Sequence, residues 1–181
     1  DLKDQRDIEV NFDVLHAVPP MRAPQLIRDT KSLVDETGFI AVVKHTLQST
    51  RFPNVWALGD SSNLPTSKTA AAVMDQAPVV VHNLLNTWRG SGLPQNNVGY
   101  WGYTSCPIFT GKGQLLLAEF KYDSQLDETF GSIQRSPNSL FYYLKTKVFP
   151  FTYFHLMPRG LWFGKHSIFG RPKQYLDQAQ Q

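Results

Sequence analysis

The residues of this sequence with the clearest capacity to bind a ligand lie between an apolar run and a polar loop. Gly59 and Asp60 end the apolar run 55–58, and the loop leads from them to Lys68 and Thr69. A glycine lets a ligand approach the backbone, an aspartate accepts hydrogen bonds from ligand hydroxyls, and the first amides of a helix hold an electron-rich oxygen. The pattern predicts a strand, a glycine turn and a ligand-binding helix start. The plain alternative is that Asp60 only caps a neighbouring backbone group.

The segment that follows the polar loop is rich in alanine, which indicates a helix with little side-chain bulk on its first turn. Thr66 and Ser67 are the predicted N-caps, because hydroxyl oxygens accept hydrogen bonds from the first helical amides. A flat ligand then has room to lie against residues 70–72. We expect the helix to reach about Trp88. A kink or a break is expected in the turn that ends at Pro78, since proline removes a backbone donor and clashes with the preceding turn.

Cys106 is the one cysteine of the chain and its candidate nucleophile. It lies in a stretch of glycine, serine, threonine and proline between aromatic residues, which predicts a loop rich in hydrogen-bond donors. Thiolates are the reactive form of cysteine, and a helix N-terminus or a nearby cation favours them. The alternative interpretation is a small, buried apolar side chain. A single cysteine excludes an internal disulfide framework and an all-cysteine zinc site, and we predict no metal.

The C-terminal part of the chain is both aromatic and basic. From Phe141 onward it holds 11 of the chain's 23 aromatic residues and six cations against one acid. Aromatic rings beside lysine and arginine are typical of a segment lying in a membrane interface. An aromatic core with a solvated basic face is the alternative, and a net charge of +3 without a recognised basic motif argues against nucleic acid. We expect Pro150, Pro158 and Gly160 to divide the segment into short pieces, so that no span is possible.

Hydrophobic periodicity predicts the remaining elements. Residues 8–15 alternate apolar and polar side chains, which predicts a half-buried strand, and His16 at its end has a structural interpretation. A short helix is expected within residues 22–31, and a turn at residues 35–38 leads to a strand. A further strand is predicted over residues 114–120.

Two stretches of this sequence resemble motifs of one flavoprotein family. Pro53-Asn54-Val55 followed by Gly59-Asp60 is similar to the second flavin-binding motif of reductases built from two dinucleotide-binding domains. Residues 63–73 and 102–107 (GYTSCP) resemble sulfide:quinone oxidoreductase of the mitochondrial type, and the similarity covers nearly the whole chain. The resemblance implies FAD as the cofactor, with the Asp60 carboxylate on its ribityl chain. The cofactor contacts that it implies are Gly59, Asp60, Lys68, Thr69, Ala70, Ala71, Ala72 and Val73.

The resemblance also implies an α/β fold, part of a Rossmann-like FAD reductase with two dinucleotide-binding domains and a C-terminal membrane-associating α+β region. Residues 1–50 then end the second dinucleotide-binding domain and return to the FAD domain, and residues 51–90 complete the FAD domain. Residues 91–181 form the redox-cysteine and quinone region. The sequence has neither an initiator methionine nor a G-x-G-x-x-G phosphate turn, so we expect the C-terminal portion of a longer protein.

The chemistry that the resemblance implies is the oxidation of hydrogen sulfide at the inner mitochondrial membrane by a peripheral enzyme. Cys106 and a partner cysteine outside this sequence flank the flavin, Cys106 carries a persulfide, and sulfide, sulfite or glutathione removes its outer sulfur. Electrons pass through FAD to ubiquinone. The residues expected at the quinone or membrane are Phe120, Phe149, Phe151, Phe154, Trp162 and Phe163. Two alternatives are a type II NADH:quinone dehydrogenase, which needs no redox cysteine, and a non-catalytic membrane-association module.

Overall fold

The computed structural model describes residues 8–90 and 98–165. In this part of the chain the fold is a small α/β arrangement with one two-stranded antiparallel sheet. Short 3-10 and π-type turns join the regular elements. The helices are α1 (Gln25–Asp29), α2 (Ala70–Trp88), α3 (Ser139–Tyr143) and α4 (Phe149–Phe151), and the strands are β1 (Thr104–Gly111) and β2 (Gln114–Phe120).

Helix α2 is the longest element and ends at Trp88, as predicted. Its N-cap is Thr69 rather than Thr66 or Ser67, because Thr69 has an extended backbone and its Oγ1 accepts the Ala72 amide at 3.1 Å. The predicted break near Pro78 is wrong: α2 runs through the proline without interruption. Pro78, Val79 and Val80 are buried, so packing of these residues outweighs the loss of one backbone hydrogen bond.

The main core lies between α2 and the segments on either side of it. It includes Leu47, Ala57, Val79, Val98 and Tyr100. The apolar run 55–58 contributes to this core, but the strand predicted there is wrong. One isolated bridge joins Gln48 to Trp56, and a short 3-10 turn begins at Gly59. The predicted helix within residues 22–31 is confirmed as α1, whereas the strand expected after residue 38 is reduced to isolated bridges.

Residues 8–15 do not form the predicted strand. They have no bridge partner among the described residues, and their apolar side chains are exposed. A strand needs a neighbour to accept its backbone hydrogen bonds, and alternation in the sequence does not supply one. His16 is likewise exposed.

The β1–β2 hairpin carries the cysteine. The strand predicted over residues 114–120 is confirmed as β2, but the loop predicted around Cys106 is wrong, because this residue lies in β1 opposite Ala118. Aromatic and β-branched neighbours favour a strand more than the glycine, serine and proline oppose it. Leu115, Leu117 and Glu119 point to the buried face, whereas Cys106 is exposed.

The aromatic C-terminal segment is more continuous than predicted. Asn138 caps α3 by accepting the Phe141 amide at 3.0 Å, and helical geometry of mixed type continues to Arg159. Pro150 does not divide this segment, since π-type turns directly before and after α4 continue the helical run. Gly160 ends it in a left-handed conformation, as expected. None of the described helices is long and apolar enough to cross a membrane.

Candidate active site

A cavity of about 700 Å³ opens between three elements that the sequence analysis treated separately. Thr69, Ala70 and Ala71 form one side at the start of α2, and the hairpin forms another. The aromatic C-terminal segment closes the third side. Its size lies within the range of about 300–1,000 Å³ typical of small-molecule sites. The residues that line it and were predicted to function are Thr69, Ala70, Ala71, Cys106, Phe149, Phe154 and Trp162.

Cys106 is one of the residues that line this cavity, and this cysteine is free and exposed. The alternative of a buried apolar cysteine is therefore wrong. Pairing with Ala118 fixes the backbone of Cys106, and the residue is accessible. Two cations, Lys145 and Lys165, line the same cavity, and the Lys165 ammonium is ion-paired with Asp127 at 3.0 Å.

Gly59 and Asp60 lie outside the cavity lining. Gly59 has a φ of +59°, and an added Cβ would lie 2.9 Å from Val73 Cγ2, so the close approach at this glycine is to α2. Its amide donates to Gln76 Oε1 at 2.7 Å, which joins the turn to the helix. The Asp60 side chain is exposed.

The predicted contact Lys68 is engaged with the protein. Its ammonium donates to the Ser62 carbonyl at 2.5 Å and lies 4.6 Å from the centre of the Phe39 ring. Burial lowers the pKa of Lys68 below its usual 10.5, and the charge of Asp60 opposes this shift. Ala72 is buried within α2 and does not line the cavity. The structure therefore brings three of the eight predicted FAD contacts to the cavity that Cys106 lines.

These residues fit an FAD. Ala70 and Ala71 present only methyl groups to the cavity, so a planar ring can approach the first turn of α2 closely. The first amides of a helix lack intrahelical acceptors and suit the oxygen or nitrogen atoms of such a ring. Asp60 would hold hydroxyls of the ribityl chain outside the cavity.

The predicted quinone residues divide into two groups. Phe149, Phe154 and Trp162 line the cavity, and the rings of Phe149 and Trp162 are stacked with centroids 6.4 Å apart. Phe120 instead lines a second cavity of about 460 Å³ with Thr66 and Ser67. Phe151 is exposed and Phe163 half-buried, and neither lines either cavity.

The cavity wall also contains a buried carboxylate that was not predicted from the sequence. Glu119 is 4% exposed and accepts a 2.5 Å hydrogen bond from the Tyr103 hydroxyl. Burial, reinforced by the negative charge of Glu119, raises the pKa of Tyr103 well above its usual range. The sequence did contain one indication of this residue. Glu119 is charged but falls on the same face of β2 as the buried positions 115 and 117. No cluster of metal-ligating side chains occurs among residues 8–90 and 98–165.

Comparison with known proteins identifies close relatives, although no family model matches the chain. It is 47% identical over 92% of its length to a protein of Schizosaccharomyces pombe, and 46% identical over 88% to one of Dictyostelium discoideum. A mouse protein is 39% identical over 86% of the chain. All three are named mitochondrial sulfide:quinone oxidoreductase.

The fold also occurs in a solved structure. One chain of the cryo-EM structure of Tetrahymena thermophila mitochondrial ATP synthase matches 73% of this chain with a TM-score of 0.64 and 25% identity. This match spans 31% of that chain. The present chain spans 37%, 35% and 34% of the three curated relatives, about a third of each. On this similarity, the chain belongs to the family of mitochondrial sulfide:quinone oxidoreductases.

Proposed function

We propose that the protein containing this chain oxidises hydrogen sulfide, passes the electrons through FAD to ubiquinone, and transfers the sulfur to a small acceptor. The observation that carries the proposal is that Cys106 and the first turn of α2 line one cavity. An exposed thiol and a helix start fitted for a flavin then face the same ligand. The names of the three relatives support sulfide and a quinone as substrates.

Cys106 acts by thiol–disulfide exchange in this proposal. Sulfide, as HS⁻, attacks the Cys106 sulfur of a disulfide with a partner cysteine outside this sequence. A new sulfur–sulfur bond forms at Cys106, the old bond breaks, and the partner leaves as a thiolate with the electron pair. A second sulfide, sulfite or glutathione thiolate then takes the outer sulfur, and Cys106 is left as a thiolate. Lys145 supplies positive charge to the wall where these anions form.

The residues that would hold FAD are Thr69, Ala70 and Ala71 at the ring and Asp60 at the ribityl chain. Bound FAD would supply a two-electron acceptor as the Cys106 and partner thiolates re-form their disulfide, and a two-electron donor for ubiquinone. Ala70 and Ala71 contribute by leaving the helix start free of side-chain bulk, and pairing with Ala118 fixes the strand position of Cys106. We propose residues 51–90 as the end of the FAD domain.

The aromatic segment is proposed as the quinone and membrane surface of a peripheral mitochondrial enzyme. Phe149, Phe154 and Trp162 give the cavity the apolar wall that a quinone ring needs. Phe151 and Phe154 are 56% and 67% exposed beside basic residues of the same segment, and the relatives are named mitochondrial. Rings at the headgroup level with cations facing anionic lipid would bring the cavity to membrane-dissolved ubiquinone.

The test is Cys106→Ser in the full-length protein, assayed for sulfide-dependent reduction of a soluble ubiquinone analogue. We expect activity to fall to background while flavin absorbance is retained, because serine preserves the size of the residue but cannot form a persulfide. Thr110→Ser changes an exposed residue of the same strand and is the matched control. Full activity of Cys106→Ser, or NADH oxidation that does not need the thiol, would support a type II NADH:quinone dehydrogenase instead.

The second candidate is a non-catalytic module that keeps the fold within a mitochondrial membrane assembly. The observation in its favour is the similar chain in the structure of an ATP synthase, which is 25% identical to this one. This candidate predicts that the purified full-length protein contains no flavin and shows no sulfide-dependent activity.

A further inference from the structure

The last described residues of the chain return to the cavity of the candidate active site. Residues 161–165, here called the strap, follow Gly160, where the helical segment ends. Trp162, Gly164 and Lys165 of the strap line the cavity. Gly160 and Gly164 have φ values of +66° and +86°, a conformation that glycine adopts without strain. Because glycine restrains the backbone little, side-chain contacts must decide where the strap lies.

Trp162 makes the aromatic contact of the strap. Its ring stacks on Phe149 of α4, with the two planes 27° apart and the centroids 6.4 Å apart. Both residues line the cavity, so the stack forms part of its apolar wall. Aromatic pairs attract one another only modestly at such a distance. The stack is therefore a weak restraint when it acts alone.

Lys165 provides the second anchor of the strap. Its ammonium forms an ion pair with the Asp127 carboxylate at 3.0 Å and also donates to the Asp127 carbonyl. The lysine side chain is 15% exposed and the aspartate 30%, so water screens this pair less than it screens a surface ion pair. Two of the three ammonium donors are used in these contacts. The ammonium is thus directed toward Asp127 rather than toward a ligand.

Asp127 is itself fixed to the hairpin. Its amide donates to the Glu119 backbone carbonyl at 3.1 Å. Two positions later, the Thr129 amide and hydroxyl donate to the buried Glu119 carboxylate at 2.8 and 3.0 Å. These hydrogen bonds hold residues 127–129 against β2. The Asp127 carboxylate is therefore a fixed point to which the flexible stem of Lys165 attaches.

We propose that Asp127 is a positioning residue for the quinone: through Lys165 it holds the strap, so that Trp162 keeps its place in the cavity wall. The inference rests on the proposed function for the identity of the ligand, a quinone ring. Asp127 is not among the residues that line the cavity, so it acts only through the strap. Without the ion pair, the stack on Phe149 is left to hold the strap, and the indole would leave the wall for part of the time.

The test compares Asp127→Asn with wild type in the full-length protein. Asparagine has the same size and keeps the backbone contacts, but it lacks the charge. A short-tailed ubiquinone analogue is titrated with saturating sulfide. We expect its KM to rise at least about threefold and kcat to stay within about twofold, because only quinone binding is weakened. Flavin reduction by sulfide without quinone, followed by stopped-flow absorbance, should be unchanged, whereas a general loss of folding would lower it as well.

A double-mutant cycle assigns the effect to the strap. Trp162→Leu alone should raise the KM for the quinone analogue, and Asp127→Asn should add nothing in that background. Lys165→Met removes both contacts with Asp127, so it should raise the KM at least as much as Asp127→Asn and replaces that variant if it fails to fold. Glu128→Gln makes the same kind of change in the adjacent carboxylate, which pairs with the exposed Arg135, and should leave the KM unchanged.

Quinone binding can also be measured without turnover, by isothermal titration calorimetry with the same analogue. Asp127→Asn should raise the Kd at least about threefold. An unchanged Kd, or an effect that persists in the Trp162→Leu background, would overturn the inference. Absence of quinone binding in wild type would overturn both the inference and the proposed quinone site. Absence of sulfide oxidation in a wild-type protein that binds the analogue would count against the proposed function alone.

Discussion

Thr69 Oγ1 lies 2.9 Å from Thr104 Oγ1, so the residue that caps α2 touches the first residue of β1. This contact joins the proposed flavin helix to the strand that carries the thiol two residues later. The Thr104 hydroxyl also donates to the Ser67 carbonyl at 3.3 Å. The separation between the helix start and Cys106 is therefore set by a short polar link rather than by a long loop.

Thr104→Val tests this link. Valine keeps the shape of the buried threonine but cannot form either hydrogen bond, so the free energy of unfolding should fall by about 1 kcal/mol. We also expect weaker retention of flavin, measured by absorbance after gel filtration of the full-length protein. Thr110→Val makes the same change at an exposed position of β1 and should lie within about 0.5 kcal/mol of wild type in urea unfolding. Equal behaviour of the two variants would remove the role given to Thr104.

Gly102→Ala tests a close approach just before β1. Gly102 has a φ of +88°, and an added Cβ would lie 2.4 Å from the Tyr122 ring and 2.5 Å from the Tyr122 backbone nitrogen. Backbone cannot move aside cheaply, so strain and overlap together should cost about 3 kcal/mol or more. Gly113→Ala is the control, since its φ is +71° with no atom within 4 Å, and should cost about 1–2 kcal/mol. Similar midpoints of thermal unfolding for both would contradict the overlap.

The sequence was most informative where local rules and packing agree. The α2 region and β2 were predictable because the alanine-rich segment and the apolar run 115–118 match the burial that the fold provides. Residues 8–15 have equally clear alternation but no bridge partner among the described residues, so their pattern does not give a strand. The break expected at Pro78 does not occur, because the packing of buried α2 residues outweighs the low helix propensity of proline.

The candidate site was predictable only in part, for a related reason. Cys106 and the first turn of α2 are recognisable from their residue types, and the cavity brings them together. Glu119 could not be assigned a role from sequence, because its partners Tyr103, Thr129 and Gln134 meet it only through the fold. Sequence motifs identify the groups that react with a ligand. The groups that hold those reactive residues in place are recognised only from tertiary contacts.

Asp35 should make stability depend on pH in the acid range. Burial acts to raise the pKa of Asp35, but hydrogen bonds from Thr37 and Asn63 outweigh it, so the pKa lies below the usual 3.8. The ionised form is thus favoured in the folded state. Its contribution is fully present above the unfolded pKa of 3.8 and is lost as pH falls through the lower folded value.

Asp35→Asn provides the measurement. The variant should be less stable than wild type at pH 7, and the difference should shrink as pH falls below 3.8, followed by urea unfolding at several pH values. Asp123→Asn, at an exposed turn, is the control and should track wild type across the range. A difference for Asp35→Asn that stays constant down to the lowest pH would contradict an ionised hydrogen-bonded carboxylate.

The exposed rings of the C-terminal segment should control binding to anionic lipid. Phe151 and Phe154 are 56% and 67% exposed, and Lys147 and Arg159 are exposed on the same segment. Replacing both rings by serine in the full-length protein removes the apolar contribution to membrane binding and leaves the charges. The binding free energy lost is about 1.5–3 kcal/mol for each ring that is fully buried in the lipid. We expect at least tenfold weaker sedimentation with vesicles that contain phosphatidylserine. Lys147→Gln should instead weaken binding mainly at low salt, because its contribution is electrostatic.

Ile133→Ser removes an exposed apolar side chain outside the segment and should bind like wild type, since the membrane surface is proposed to lie on the aromatic segment alone. If Ile133→Ser weakened vesicle binding as much as the double phenylalanine change, binding would depend on the total exposed apolar area. That result would contradict a membrane surface on the aromatic segment.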